Sequence, residues 1–117
     1  MYLKSNVILS LSAAIGIALY INPAFALNPV VEKKIREGAL VVDVRTPAEF
    51  ASGHFPGSIN IPLQEIESRI AEFGEKNRPI VVYCRTGNRS AKAKAILERH
   101  GYSDVTNGGG LRDMGVR

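Results

Sequence analysis

From residue 27 onward, apolar and polar positions alternate in blocks that change period several times. Ala39-Leu-Val-Val-Asp-Val44 and Pro79-Ile-Val-Val-Tyr-Cys84 are short, nearly continuous Val-rich runs, the pattern of strands buried on both faces. Between and around them the period is helical. Val30, Val31 and Ile35 share one face of a predicted helix over 29–37, with Asn28 as N-cap, Pro29 in the first position and Gly38 as the stop. Thr46-Pro47 opens a short helix to Ser52. Gly53-His-Phe-Pro-Gly57 is a loop, and Ser58 to Ile61 a brief strand. Ile66, Ile70 and Phe73 give an amphipathic helix over 64–73; Ala93, Ile96 and Leu97 give another over 90–100, closed by Gly101. A last strand is predicted over 104–107, before the glycines at 108–110. Strands alternating with helices predict an α/β fold, a small parallel β-sheet with helices on both faces. Ligands of such sheets bind beyond the carboxyl ends of the strands, where Cys84 lies.

Residues 1–26 follow a different pattern. One charge, Lys4, precedes an apolar run from Val7 to Ile21; Asn22-Pro23 breaks it, and Ala24-Phe25-Ala26 offers small residues where a signal peptidase reads. The expectation is a signal peptide over 1–26, cleaved before Leu27, and an exported, periplasmic domain over 27–117 with no membrane contact after cleavage. The run is slightly short for an anchor, and no positive flank follows it. The 91 residues that remain suffice for one modest core.

Charge and cysteine count narrow the chemistry. Fifteen basic residues against 11 acidic ones give a net charge of +4, without the Lys/Arg runs of a nucleic-acid binder. One cysteine forms no internal disulfide or Cys-rich zinc site, and the two histidines, His54 and His100, form no ligand pattern, so no metal is expected. That cysteine opens Cys84-Arg-Thr-Gly-Asn-Arg89-Ser90, between a buried strand and a helix. A thiol there sits at the sheet rim, facing a helix N-terminus with unpaired N–H groups. Gly87 lets the loop curl into an anion-binding nest. Arg85 and Arg89 add positive charge: one unit charge ~6 Å away at an effective dielectric of ~20 is worth at most about 3 kcal/mol, roughly two pH units on the thiol. The expectation is a nucleophilic thiolate in a cup for a small anion. A buried, inert strand-end cysteine is the plain alternative.

The loop, together with Asp43-Val-Arg45, Glu49-Phe50, Gly53-His-Phe-Pro-Gly57 with Asn60 and Pro62, and Gly109-Gly110, resembles the rhodanese sulfurtransferases over the whole of 27–117, and in size and leader the single-domain periplasmic rhodaneses of the phage-shock-protein type. One departure is Met114, where family members often carry Trp. The resemblance implies a thiosulfate sulfurtransferase. Cys84 would take a sulfane sulfur from a small anionic donor such as thiosulfate, carry it as a persulfide, and pass it to a thiophilic acceptor, cyanide or a thiol, without cofactor or metal. Arg85, Thr86, Gly87, Asn88 and Arg89 would bind the donor, Arg85 by attraction and Arg89 more by bracing the loop. Asp43 and Arg45 would form the cleft wall or a structural ion pair, and His54 would fix its loop. Two rivals share these features. A Cys-dependent phosphatase or arsenate reductase uses the same nest, but protein-phosphatase loops put five residues between Cys and Arg where this chain has four. Noncatalytic rhodanese-like binding modules commonly lack the Cys.

Overall fold

The computed structural model describes residues 27–117, so the expected signal peptide over 1–26 lies outside the described residues. Four parallel strands, β1 (Leu40–Asp43), β2 (Ile59–Asn60), β3 (Ile80–Cys84) and β4 (Val105–Gly110), form one sheet in the order β2-β1-β3-β4. Their carboxyl ends, Asp43, Asn60, Cys84 and Gly110, therefore share one edge. Chain order reverses between β1 and β3, the position where sheets of this kind open a crevice.

Helices cover both faces, as the pattern predicts. α1 (Pro29–Arg36) is capped by Asn28, whose side chain accepts from Val30 N, and it buries Val31 against Val41, Val81, Tyr83 and Met114. On the other face, α3 (Asn88–Arg99) packs Ala93 and Leu97 onto Val42, Val82 and Ile80. Met114 is buried in the first cluster, lying where any side chain on Gly108 would stand; a glycine and a flexible thioether together fill this volume. α2 (Pro47–Ala51) is the expected short helix, with a full capping box in which Thr46 and Glu49 satisfy each other's backbone N–H. No helix among the described residues is long and apolar enough to cross a membrane.

Three elements differ from expectation. Residues 64–73 are not one helix but two 3₁₀ segments, Leu63–Glu65 and Ile70–Phe73. Ile66 and Phe73 are nevertheless buried as the spacing requires, because inward spacing of three to four residues suits tight turns as well as an α-helix. α3 starts two residues early, at Asn88, because Gly87 takes φ +102° at its N-cap and turns the chain straight from the strand into the helix. β4 runs on through Gly108-Gly109-Gly110 instead of stopping at Asn107. A Cβ on Gly110 would collide with the Arg85 carbonyl, so the absent side chains let β4 lie against the Cys84 loop.

Candidate active site

Cys84 is the last residue of β3 and only 1 % exposed. The thiol therefore does not project from the rim as expected; it lies on the floor of its own loop, with the apolar cluster of Val82, Ala93 and Leu97 below. The loop does curl inward. Gly87 N–H donates to Sγ at 3.0 Å and Ser90 N–H at 3.4 Å, while the Ser90 hydroxyl stands 3.3 Å away. Burial pushes the thiol pKa up, but the Ser90 hydroxyl and the amides of Ser90, Gly87 and Thr86 together outweigh it, and the net direction is down. Thr86 contributes through its backbone, its side chain being exposed, and Asn88 is the exposed first residue of α3.

Both arginines are paired, Arg89 in the bracing position expected of it and Arg85 beside it. Glu49, on α2, holds both. Arg89 grips it with two parallel bonds of 2.8 and 3.1 Å, and Arg85 reaches Oε2 at 2.9 to 3.0 Å. Arg89, the Thr46 backbone N–H and Arg85 hold the Glu49 carboxyl far below the usual carboxylate range. The clamp neutralises much of the charge that was to stabilise the thiolate, and the Coulombic link of Arg89 to Cys84 is a minor contribution beside its bond to Glu49. Hydrogen bonds are what favour the anionic sulfur here.

Asp43 and Arg45, expected as cleft wall or ion pair, form a buried ion pair, and of the two Arg45 lines a cleft. Arg45 is buried with Nη2 2.6 Å from Asp43 Oδ2 and 2.7 Å from the Gly53 carbonyl, and Asp43 Oδ1 also takes the Arg45 N–H. Arg45 also lines a cleft of about 380 Å³ beside the loop, together with Ser52, Arg85, Leu111, Arg112 and Arg117. Four arginines line this one cleft, and two of them, Arg45 and Arg85, are paired with Asp43 and Glu49. His54 fixes its loop as read: Nδ1 bonds the Phe50 carbonyl at 2.8 Å and the ring stacks on Phe50 at 3.7 Å.

Glu49, Ser90, Asn107 and Tyr83 carry parts of this site to which sequence reasoning gave no role. Tyr83 Oη receives the Phe55 N–H and meets the Ser58 hydroxyl, tying the Gly-His-Phe-Pro-Gly loop to β3. Glu49 had a signal, since Thr46-x-x-Glu49 is a capping-box spacing. Asn107 had none.

Known proteins resemble this chain in sequence and fold. The Rhodanese-like domain family matches residues 28–112. The thiosulfate sulfurtransferase PspE of Escherichia coli is 45 % identical over 76 residues, 64 % of this chain and 73 % of that protein. The thiosulfate sulfurtransferase GlpE of Pseudomonas syringae is 40 % identical over 80 residues, 68 % of this chain and 74 % of that protein. Among solved structures, a rhodanese with anions from E. coli superposes with a TM-score of 0.62 at 44 % identity, covering 65 % of this chain and 91 % of that one. The human single-domain sulfurtransferase TSTD1 gives 0.67 at 27 % identity, covering 79 % and 95 %. A family match across nearly all of the described fold, agreeing with both sequence relatives and solved structures, places this chain in the rhodanese-like domain family.

Proposed function

We propose that this protein is a thiosulfate sulfurtransferase working through a Cys84 persulfide. The observation that carries the reading is the lone sulfur at the end of β3 with amides of its own loop directed at it. In the first step the Cys84 thiolate attacks the outer sulfur of thiosulfate. An Sγ–S bond forms, the S–S bond of the donor breaks, and sulfite leaves with the bonding electron pair. In the second, an acceptor such as cyanide attacks the outer sulfur, thiocyanate departs and Sγ regains the thiolate. The negative charge resides on Sγ, then on the outer sulfur, then on Sγ again, so fixed donors around one small cup serve both steps.

Arg85, one of the four arginines on the cleft and exposed although paired with Glu49, draws in the dianion, and Arg89, braced on Glu49, holds the loop in shape. Thr86 and Gly87 act through their amides, Asn88 by opening α3, and Asp43 with Arg45 by supporting the cleft wall. The apolar cluster closes the core side of Sγ, so a donor has to approach from the loop side. Residues 1–26 serve as a leader that takes the domain out of the cytoplasm, a reading carried by their charge-apolar-small layout.

The test is initial-rate kinetics with thiosulfate and cyanide. Parallel double-reciprocal lines are expected for a covalent intermediate released before the acceptor binds. Intersecting lines, or hydrolysis of p-nitrophenyl phosphate without sulfur transfer, would overturn the reading.

A further inference from the structure

β4 carries one residue more than β3 beside the active loop: the pairing passes from Val82 with Asn107 to Cys84 with Gly110. This bulge brings Asn107 under the loop. Its side chain makes three contacts. Oδ1 receives the Gly109 N–H at 2.9 Å and stands 2.7 Å from the Ser90 hydroxyl; Nδ2 donates to the Gly87 carbonyl at 3.2 Å. The assignment of oxygen and nitrogen is fixed by partners that have no choice, since a backbone N–H can only donate and a carbonyl can only accept.

Ser90 does have a choice. Its hydroxyl carries one hydrogen and faces three acceptors: Asn107 Oδ1 at 2.7 Å, the Gly87 carbonyl at 3.1 Å and Cys84 Sγ at 3.3 Å. While the sulfur is a neutral thiol, the shortest contact takes that hydrogen, and the S–H can donate to the free lone pair on Ser90. When the sulfur ionises, a charged acceptor wins and the hydroxyl turns onto Sγ. Once a persulfide forms, Sγ is neutral again and the hydroxyl can return.

We infer that Asn107 is a positioning residue that sets where the Ser90 hydroxyl points, parking its hydrogen while Sγ is neutral and yielding it while Sγ is charged. Its use in turnover rests on Cys84 being the persulfide-forming nucleophile, but the switch itself can be read without any donor. Turning the hydroxyl onto the thiolate forfeits the bond to Asn107, so Asn107 favours the thiol and restrains ionisation. Among the described residues none of the charged groups near the loop is bonded to the Asn107 side chain: Arg85 and Arg89 on Glu49 from α2, the Asp43–Arg45 pair at the end of β1, and Asp113, which takes the Gly110 N–H after β4.

The experiment is titration of the thiolate in the full chain by absorbance near 240 nm or by iodoacetamide alkylation rate, which a lone cysteine makes specific. Asn107→Leu is expected to lower the midpoint by about half a pH unit, roughly threefold in the thiolate-to-thiol ratio, and to move it by less than about 0.1 in a Ser90→Ala background. No shift, an upward shift, or the same shift without Ser90 would overturn the inference. If circular dichroism shows that the Leu variant does not fold, Asn107→Asp replaces it. The carboxylate holds the hydroxyl harder and adds negative charge, so the midpoint rises, and rises more with Ser90 present than with Ser90→Ala; equal rises overturn the inference. Wild-type transfer activity, measured separately, tests the sulfurtransferase reading alone.

Discussion

The carboxyl ends of β1 and β3 lie side by side, and each buries a group that carries or can carry charge, yet they are built for opposite purposes. At β1, Asp43 and Arg45 face each other with a 2.6 Å contact, and the guanidinium also takes the Gly53 carbonyl. Charge meets opposite charge there, and the Asn60 side chain bonds the carbonyls of both residues. At β3, Cys84 has no opposite charge in contact among the described residues; Glu49 holds the nearby arginines, and neutral donors surround the sulfur instead. A buried ion pair is fixed in one charge state. A sulfur held by amides and a hydroxyl can ionise, accept a second sulfur and ionise again, because those donors serve each form. Pairing makes scaffold; preorganised dipoles make a site for changing charge.

Removing each group tests that contrast. Cys84→Ser should have the largest effect, lowering thiosulfate-to-cyanide transfer by at least roughly 10³-fold while leaving the fold intact by circular dichroism. Retained transfer would place the chemistry elsewhere. Arg45→Met should do the reverse, leaving Asp43 buried without its cation and lowering stability by about 3–5 kcal/mol in urea unfolding. The fraction still folded should transfer sulfur at a rate within about tenfold of wild type, because the loop donors are untouched. Equal loss of rate from both substitutions would erase the distinction.

Two smaller effects sharpen it. Ser90→Ala removes a donor from the thiolate and should raise the Cys84 midpoint, whereas Glu49→Gln releases the charge of Arg85 and Arg89 and should lower it; the same ultraviolet titration decides. Glu49→Gln should cost about 1 kcal/mol of stability, the scale of a partly exposed ion pair. The pH dependence follows from the lowered Glu49 pKa. A depressed carboxyl contributes stability that is fully present above the ordinary value of roughly 4.3 and is lost only as pH falls through the lowered one. The Glu49 carboxyl carbon should therefore stay in its ionised position by NMR at about pH 3.5, where most free glutamates are protonated.

Much of this organisation was legible in the order of residues. Two Val-rich runs gave the central strands, and Asn28, Pro29, Thr46 and Pro47 marked two helix starts, because capping and burial are local and leave local traces. Cys84 with Gly87 was legible as a nest because a left-handed glycine after a strand has few other uses. Long-range pairings were not. That Glu49 would cross 36 and 40 positions to reach Arg85 and Arg89, or Asn107 17 to reach Ser90, depends on strand order and on a bulge in β4. The glycine run from 108 to 110 looks like a terminator in isolation, yet it continues the strand because the loop presses against it. The break in 64–73 was hidden for another reason: buried positions three or four apart fit either kind of turn.

The central claim is that the sulfur of Cys84 receives and holds a second sulfur atom, and intact-mass measurement after brief exposure to thiosulfate tests it most directly. Wild-type protein should gain about 32 Da, lose it on addition of cyanide, and show no gain as Cys84→Ser. An unchanged mass in the wild-type protein, or the same gain in the serine variant, would contradict the account.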